Sequence, residues 1–185
     1  MAHQPVIHMP RASQDRSQRP RRSHGTGRAL NLTVKQIGVI SDTHGLVRPE
    51  ALQALRNSDL IIHCGDIGNG AVLDALRTIA PVRAIRGNND HGTWADRIPE
   101  TDLVRVGTQS IYVLHNLAEL ELDLDDSGVT AVLSGHSHKP VIERRNGVLF
   151  LNPGSAGPRR FKLPVTVATL TSRPTGWTPR VAQLL

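Results

Sequence analysis

The sequence predicts an α/β fold in which two packed, mostly mixed β-sheets are flanked by helices. Two observations predict it. From residue 33 onward, short apolar runs first alternate with helical patterns, and later they follow one another with only turns between them. Alternation is typical of strands joined by helices, whereas consecutive strands favour antiparallel pairs. A chain that shows both patterns is expected to build two sheets.

The alternating part is expected to contain three strands and two helices. Pro49 predicts the start of the first helix, because a missing N–H costs nothing in the first turn, and the helix should run to about Asn57. Apolar residues at helical spacing predict the second helix over Gly70 to Ala80, and Pro81 ends it. The predicted strands are residues 34–40, 60–63 and 82–85.

The later part is predicted to be a series of strands separated by Pro and Gly turns. These strands are residues 103–106, 111–114, 129–133, 141–143, 148–151, 165–170 and 177–184. Gly107 predicts a hairpin between the first two. The segment from Leu117 to Asp126 is ambiguous, since its leucines fit a short helix while its acids are most simply a solvated face.

Residues 1–32 are predicted to be a disordered, arginine-rich leader in front of one folded domain, residues 33–185. The leader has six arginines and one aspartate, so it holds five of the six net positive charges of the chain. The leader shows no periodic pattern of hydrophobic residues. It therefore cannot bury enough apolar surface to offset the conformational entropy that it would lose on folding. Its arginines could bind nucleic acid or an acidic partner, although a solvated tail without a partner is the simpler interpretation.

Cysteine content and hydropathy bear on the compartment. Cys64 is the only cysteine of the chain and cannot form an intramolecular disulfide, so the cytoplasm is the expected location. No apolar run approaches the length of a membrane span, and the first 31 residues lack the apolar core of a signal peptide. We therefore expect no membrane partner. A homo-oligomer is compatible with the sequence.

Five polar clusters directly follow apolar runs, which predicts that each lies in the loop at the carboxyl end of a strand. Sheets of α/β proteins place their chemistry at that edge. In chain order the clusters supply Asp42, His44, Asp66, Asn88, His115, His136 and His138. Such oxygen and imidazole ligands suit Mn, Fe, Zn or Ni, and the lack of thiolates disfavours a closed structural zinc site. Seven ligands are too many for one ion and suffice for two if one carboxylate bridges.

The clusters resemble, in order and spacing, those of the calcineurin-like metallophosphoesterases, and in particular their small bacterial and archaeal phosphodiesterase branch. The resemblance extends from about residue 34 to 185 and includes Ser-Asp-Thr-His, Cys-Gly-Asp, Gly-Asn-Asn-Asp, Ser-Gly-His-Ser-His and Asn-Pro-Gly-Ser. It implies the α/β sandwich of that family. It also assigns one metal to Asp42, His44, Asp66 and His138, and the other to Asp66, Asn88, His115 and His136, with Asp66 as the bridge.

The resemblance implies a dinuclear phosphodiesterase that hydrolyses small phosphodiesters, such as those of nucleotides. Manganese is the favoured metal. Two ions about 3.5–4 Å apart can activate a shared water as hydroxide and hold the phosphoryl oxygens for in-line attack. Asp66, Asn88 and His115 are the residues expected to carry the catalysis.

Two other functions remain open. The retromer scaffold subunit shares this fold and acts as a binding module with a degraded site, so fold alone does not establish catalysis. A phosphomonoesterase is the second alternative. Nucleic-acid binding as the main function has no support from stacking side chains, because the chain is poor in aromatics.

Asn89 predicts the preferred substrate. Larger phosphatases of the superfamily have a histidine after the motif asparagine, where it helps to protonate the leaving group, and an amide has no titratable proton to give. Esters with low-pKa leaving groups should therefore react fastest. Without a matching set of basic residues to grip a dianion, aryl diesters should be cleaved better than aryl monoesters.

Four further residues are assigned simpler roles. His63 is predicted to be a satisfied buried imidazole, and Cys64 a packing residue. Asp90 either orients a ligand histidine or is a plain turn residue. Arg159 could reach a substrate phosphate, but a surface arginine is the simpler interpretation.

Overall fold

The computed structural model describes residues 34–124 and 127–185. These residues form two five-stranded sheets, each containing parallel and antiparallel pairs, with two short helices, which confirms the predicted fold class. The predicted leader, residues 1–32, lies outside the described residues.

The first sheet has the strand order β10-β9-β1-β2-β3. Its strands are β1 (Gln36–Ile40), β2 (Leu60–His63), β3 (Val82–Ala84), β9 (Thr166–Arg173) and β10 (Gly176–Gln183). The first three run parallel, as expected for strands joined by helices, and β9 lies antiparallel to β1. The carboxyl ends of β1, β2 and β3 therefore meet at one edge of the sheet.

Helix α1 (Pro49–Leu55) and helix α2 (Gly70–Arg77) connect these strands. Asn69 caps α2 by accepting a hydrogen bond from the backbone N–H of Ala71 at 3.1 Å. Helix α2 ends three residues before the predicted Ala80, where the Thr78 hydroxyl donates to the carbonyl of Ala75 at 2.7 Å. At eight residues α2 is the longer of the two, and no helix in the described part of the chain could cross a membrane.

The second sheet has the strand order β4-β5-β6-β8-β7. Its strands are β4 (Thr101–Val106), β5 (Gln109–Leu114), β6 (Val129–Leu133), β7 (Pro140–Arg145) and β8 (Val148–Pro153). The predicted hairpin around Gly107 is the antiparallel pair of β4 and β5. Strands β5, β6 and β8 run parallel, so the ends of β5 and β6 point to the same edge.

The ambiguous leucine-rich segment is not the short helix that its leucines could suggest. Within the described residues 117–124, only Leu117–Glu119 forms a 3₁₀ turn, capped by the Asn116 side chain, and residues 120–124 are irregular. Leu120, Leu122 and Leu124 alternate with polar residues at a period of two, which a helix cannot place on one face. These leucines pack instead on the outer face of the second sheet.

The main core lies between the two sheets, and a second cluster lies under the helices. Ile37, Ile62, Ile111 and Leu133 are fully buried in the main core. At the sheet edges, the Arg83 guanidinium of β3 donates twice to the Asp102 carboxylate of β4, at 2.6 and 2.7 Å, and thereby joins the two sheets. The shared core and this ion pair therefore fix the two sheets relative to each other, and with them the strand ends that carry the polar clusters.

Candidate metal centre

All seven predicted ligands converge at the edge where the strands of both sheets end. Asp42 and His44 follow β1, Asp66 follows β2, and Asn88 follows β3. The second sheet supplies the remaining three, which are His115 after β5 and His136 and His138 after β6. The site is therefore built between two sheets from segments up to 96 residues apart in the sequence.

One group of ligand atoms belongs to Asp42, His44 and His138, and these atoms lie within 4.8 Å of one another. The Nε2 atom of His138 is 3.3 Å from Asp42 Oδ1 and 3.4 Å from the Nε2 atom of His44. The two imidazoles stack with their centroids 5.3 Å apart. We call these three residues the inner group, because Asp42 and His138 are buried.

Asp66 stands between this group and the rest of the site. Its Oδ2 atom lies 3.9 Å from His44 Nε2, and its Oδ1 atom lies 3.5 Å from His115 Nε2. Asp42, Asp66 and His115 form a second set of ligand atoms within 4.8 Å. A carboxylate with one oxygen toward each side has the position expected of a bridge.

The outer group consists of Asn88 and His136, which face each other with the His136 Nδ1 atom 3.0 Å from Asn88 Oδ1. The His136 ring meets the His115 ring edge to face at 5.2 Å. Both members of the outer group are exposed to solvent. This side of the site is therefore open, and the inner group is enclosed except at His44, which is partly exposed.

Five of the seven residues have left-handed backbone conformations. The φ angles are 54° at Asp42, 46° at His44, 53° at Asp66, 67° at His136 and 58° at His138. Such angles are uncommon outside glycine and persist only where the surroundings enforce them. The concentration of these outliers on ligands is a structural sign of function that is independent of residue type.

Backbone contacts between the loops enforce these conformations. The N–H of Asp42 donates to the carbonyl of Gly65 at 3.0 Å, and the N–H of His44 donates to that of Asp66 at 2.9 Å. Gly87 leaves room for the Asp66 carboxylate, because a Cβ at that position would overlap Asp66 Oδ1. The loops pack so closely that the ligands are positioned by the fold itself.

Asp90 contacts the backbone and not a ligand histidine. Its carboxylate accepts hydrogen bonds from the N–H groups of Ile67, Gly68 and Gly87 at 2.8 to 3.1 Å. Of its two predicted roles, the structure favours the turn residue, and Asp90 in this role ties the Asp66 loop to the Asn88 loop.

His63 is the satisfied buried imidazole that was predicted. Its Nδ1 atom accepts from the N–H of Gly65 at 3.2 Å, so Nε2 carries the proton and lies 2.9 Å from the Thr43 hydroxyl oxygen. Burial lowers the pKa of His63 to about 3, which keeps the ring neutral. Cys64 packs in the main core, and burial raises the pKa of its thiol, so the packing role is confirmed.

The two carboxylates titrate very differently. Burial raises the pKa of Asp42 to about 6. Burial acts in the same direction on Asp66, but the neighbouring His115 ring and the hydrogen bonds from Asn89 outweigh it and hold the pKa of Asp66 well below its usual range. Asn89 donates to Asp66 twice, from its backbone N–H at 2.9 Å and from its side chain at 2.6 Å. This contact of Asn89 was not foreseen from the sequence.

The histidine pKa values also depend on position. Burial lowers the pKa of His44 and brings that of His138 to about 4, and the nearby Arg160 cation contributes to both shifts. Burial also acts to lower the pKa of His115, but the neighbouring Asp66 carboxylate and the hydrogen bond to the Cys64 carbonyl raise it overall. The His44 and His138 rings are thus neutral near pH 7, as metal ligation requires.

The site satisfies a simple test for metal binding. Asp42 Oδ1 and His115 Nε2 are buried and have no hydrogen-bond partner among the described residues, which is costly unless another group completes them. The Nδ1 atom of His115 lies 2.7 Å from the Cys64 carbonyl, to which it donates, so the Nε2 lone pair is directed into the site. Oxygen and imidazole donors without thiolate fit a catalytic divalent ion.

Arg160 is a residue of the site that sequence reasoning missed. Its Nη2 atom lies 3.3 Å from the Nε2 atom of His44, whereas its equally exposed neighbour Arg159 contacts no predicted ligand among the described residues. The pair of arginines just after the Asn-Pro-Gly-Ser motif was the available signal. Which of the two faces the site depends on the turn that follows, and the sequence does not reveal that turn.

A two-sheet α/β sandwich with aspartate, histidine and asparagine side chains gathered at its strand ends is an arrangement that metal-dependent hydrolases use. Residues 36–174 match the calcineurin-like phosphoesterase superfamily domain, and the chain belongs to that superfamily. The resemblance inferred from the motifs is therefore confirmed.

Relatives and structural neighbours are consistent with this assignment. The chain is 37% identical over 132 residues to a probable metallophosphoesterase of Methanocaldococcus jannaschii, a match covering 64% of this chain and 67% of the relative. The structure of a novel archaeal phosphodiesterase superposes with a TM-score of 0.66 at 25% identity, covering 80% of this chain and 99% of the other. Vps29 of Chaetomium thermophilum gives a TM-score of 0.65 at 19% identity, covering 80% and 96%, which shows a shared fold.

Proposed function

We propose that the protein is a dinuclear, metal-dependent phosphodiesterase that hydrolyses small phosphodiesters. The observation that carries the proposal is the position of Asp66, whose two oxygens face different histidines. On either side of it lie buried ligand atoms that have no hydrogen-bond partner in the described part of the chain. One carboxylate shared by two sets of donors is the arrangement that a pair of ions requires. Manganese is the metal we favour, with iron, zinc and nickel as alternatives.

The bound metals would activate a water molecule and neutralise charge on the phosphoryl oxygens. The residues of this chain prepare that chemistry. Asn89 keeps Asp66 ionised, and the Cys64 carbonyl fixes the ring of His115 with its Nε2 atom toward the site. The left-handed turns hold their ligands in place before substrate arrives, so little reorganisation is left for the reaction.

A cavity beside the outer group supports the assignment of a substrate with two ester arms. It has a volume of about 250 Å³ and adjoins Asn88, His115 and His136. Its lining also includes Arg86, which forms an ion pair with Glu100 at 2.8 Å. One arm of a phosphodiester has room there, while the other would lie on the His44 side of the site.

The experiment is a comparison of kcat/KM for bis(p-nitrophenyl) phosphate and p-nitrophenyl phosphate on protein saturated with Mn²⁺. We expect two ions per chain and faster cleavage of the diester. The preference should be modest, because Arg160 adds one positive charge that also favours a dianion. A clear preference for the monoester would make the protein a phosphatase, and a single bound ion in the active protein would exclude the dinuclear mechanism.

The second candidate is a non-catalytic binding scaffold, which the similarity to the fold of Vps29 favours. All seven ligand positions are occupied here by residues able to bind metal, which argues for catalysis. Two ions per chain without turnover of any aryl phosphoester would support the scaffold.

A further inference from the structure

The loop that carries Arg160 ends in an unusual turn. The N–H of Leu163 donates to the carbonyl of Arg160 at 3.0 Å, which closes a four-residue turn. Phe161 occupies the second position of this turn with a φ of 51° and is 96% exposed. A turn position with positive φ favours glycine or asparagine.

Phe161 is unfavourable here for two independent reasons. Its backbone is in a region that a bulky side chain rarely adopts, and its ring forgoes the burial that a phenylalanine normally gains. Strain of this kind is concentrated at ligand-binding positions. Of the seven non-glycine residues with positive φ in the described part of the chain, five are the site residues noted above and Phe161 is one of the other two.

The beginning of the loop is fixed to the metal centre. The N–H of Ala156 donates to the carbonyl of Ser41 at 3.0 Å, and the Ser155 hydroxyl donates to that of Asp42 at 3.0 Å. Two nitrogens of Arg48 donate to the carbonyl of Gly157 at 3.1 and 3.3 Å. The loop is therefore attached to the turn that presents Asp42 and His44.

Arg160 points from this loop to the atom of His44 that faces the site. A cation bound at His44 Nε2 would repel the guanidinium, because both compete for one lone pair. Arg160 would then be a free cation next to the metal, where the phosphoryl oxygens of a substrate are held. Its planar fork of donors matches those oxygens.

We propose that Arg160 and Phe161 form a subsite for one arm of the substrate. Arg160 binds a phosphoryl oxygen, and Phe161 stacks on an aromatic ring attached near the phosphate, either a nucleobase or an aryl group. A cation beside an exposed ring is the combination that proteins use for phosphate and base together. The proposal rests on the proposed phosphodiesterase function and specifies its substrate class.

The kinetic test uses three diesters with the same p-nitrophenolate leaving group: thymidine 5′-(p-nitrophenyl phosphate), phenyl p-nitrophenyl phosphate and methyl p-nitrophenyl phosphate. Phe161→Ala should lower kcat/KM about tenfold for substrates with a ring on the retained arm, since stacking is worth about that much, and leave the methyl ester unchanged. Phe161→Trp should restore the loss. A loss confined to the thymidine ester identifies the nucleobase, and equal losses for both ring-bearing esters identify any aryl group.

The roles of the two arginines are separated in the same assay. Arg160→Ala should lower kcat/KM for all three esters by about 30-fold, mainly through KM, because it removes a charge-assisted contact common to them. Arg159→Ala is the matched control and should have no effect. Metal content should stay unchanged in both variants.

Ligand binding tests the role of Phe161 independently of catalysis. Calorimetric titration of the Mn²⁺-loaded protein with thymidine 5′-monophosphate and with methyl phosphate should show weaker binding of the nucleotide alone in Phe161→Ala. If the protein cleaves no ester but Phe161→Ala still binds the nucleotide more weakly than wild type does, the phosphodiesterase function fails while the subsite stands. Equal affinity of wild type and Phe161→Ala for the nucleotide, or a change in oligomeric state on removing the ring, would overturn the subsite.

Discussion

The inner and outer groups of the metal centre differ in enclosure. Asp42 and His138 of the inner group are 0% and 5% exposed, whereas Asn88 and His136 of the outer group are open to solvent. The topology explains part of this contrast, because β1 is central in the first sheet and β3, which precedes Asn88, is at its edge. An enclosed ligand set is suited to retaining an ion, and an open one is suited to admitting substrate.

The largest loss of activity is expected on replacing Asp66, which lies between the inner and outer groups. Asp66→Asn should lower activity by more than about 1000-fold, because the amide loses the charge that would hold both ions. The fold should survive, and both metals should bind more weakly by calorimetry. Asp96→Asn, at an exposed aspartate outside the site, is the control. Retention of two tightly bound ions by Asp66→Asn would mean that this carboxylate is not the bridge.

A pair of histidine variants tests the contrast directly. His138→Gln should weaken the more tightly bound Mn²⁺ by at least about 100-fold, since even changes outside the ligand shell cost 10–100-fold. His136→Gln should weaken only the second ion. Stoichiometry by calorimetry and metal analysis distinguishes the two, with His91→Gln as a control on an exposed histidine. Identical losses in the two ligand variants would show that the groups do not bind metal independently.

The smallest effect concerns stability without metal. The pKa of Asp42 is about 6 in the folded protein against an ordinary value of 3.8, so folding favours its protonated form, and this contribution is lost as the pH rises through 6. Metal-free Asp42→Asn should therefore be more stable than wild type at pH 8, by about 3 kcal/mol, and the advantage should vanish near pH 4.

Chemical unfolding in EDTA measures this difference, and comparison of the two proteins cancels the titration of His63. With saturating Mn²⁺ the order should reverse, because only the wild type retains the full ligand set. A stability difference that does not change between pH 4 and pH 8 would show that Asp42 is not strained by its burial.

The strand ends could be predicted from sequence because the signal is local. An apolar run followed by Asp, His or Asn specifies both a strand and a polar residue at its carboxyl end, so the positions of Asp66 and His115 followed directly. The order of strands was not accessible in this way. That β9 returns to pair with β1 depends on contacts between residues more than 130 positions apart, such as Ile37 and Leu170.

The contacts of Asn89, Asp90 and Arg160 were also inaccessible, for a common reason. Each depends on the direction of a side chain within a tight turn, and residue type does not reveal that direction. From the sequence, Asn89 indicates only that no titratable proton donor follows Asn88. In the structure it donates two hydrogen bonds to Asp66. Phe161 occupies a turn position at which glycine is favoured. Since phenylalanine is not a typical turn residue, the sequence does not predict this turn.

Five predicted ligands have left-handed backbone conformations, and this affects how such a chain can evolve. A left-handed conformation costs an ordinary residue about 1–2 kcal/mol, a cost that glycine avoids. Replacement of Asp42, His44, Asp66, His136 or His138 by glycine would relieve it, and at Asp42 it would also remove a buried charge. Without selection for the proposed reaction, replacement of these residues by glycine would lead toward a stable, metal-free descendant with the same backbone. Selection for that reaction would oppose glycine at these five positions.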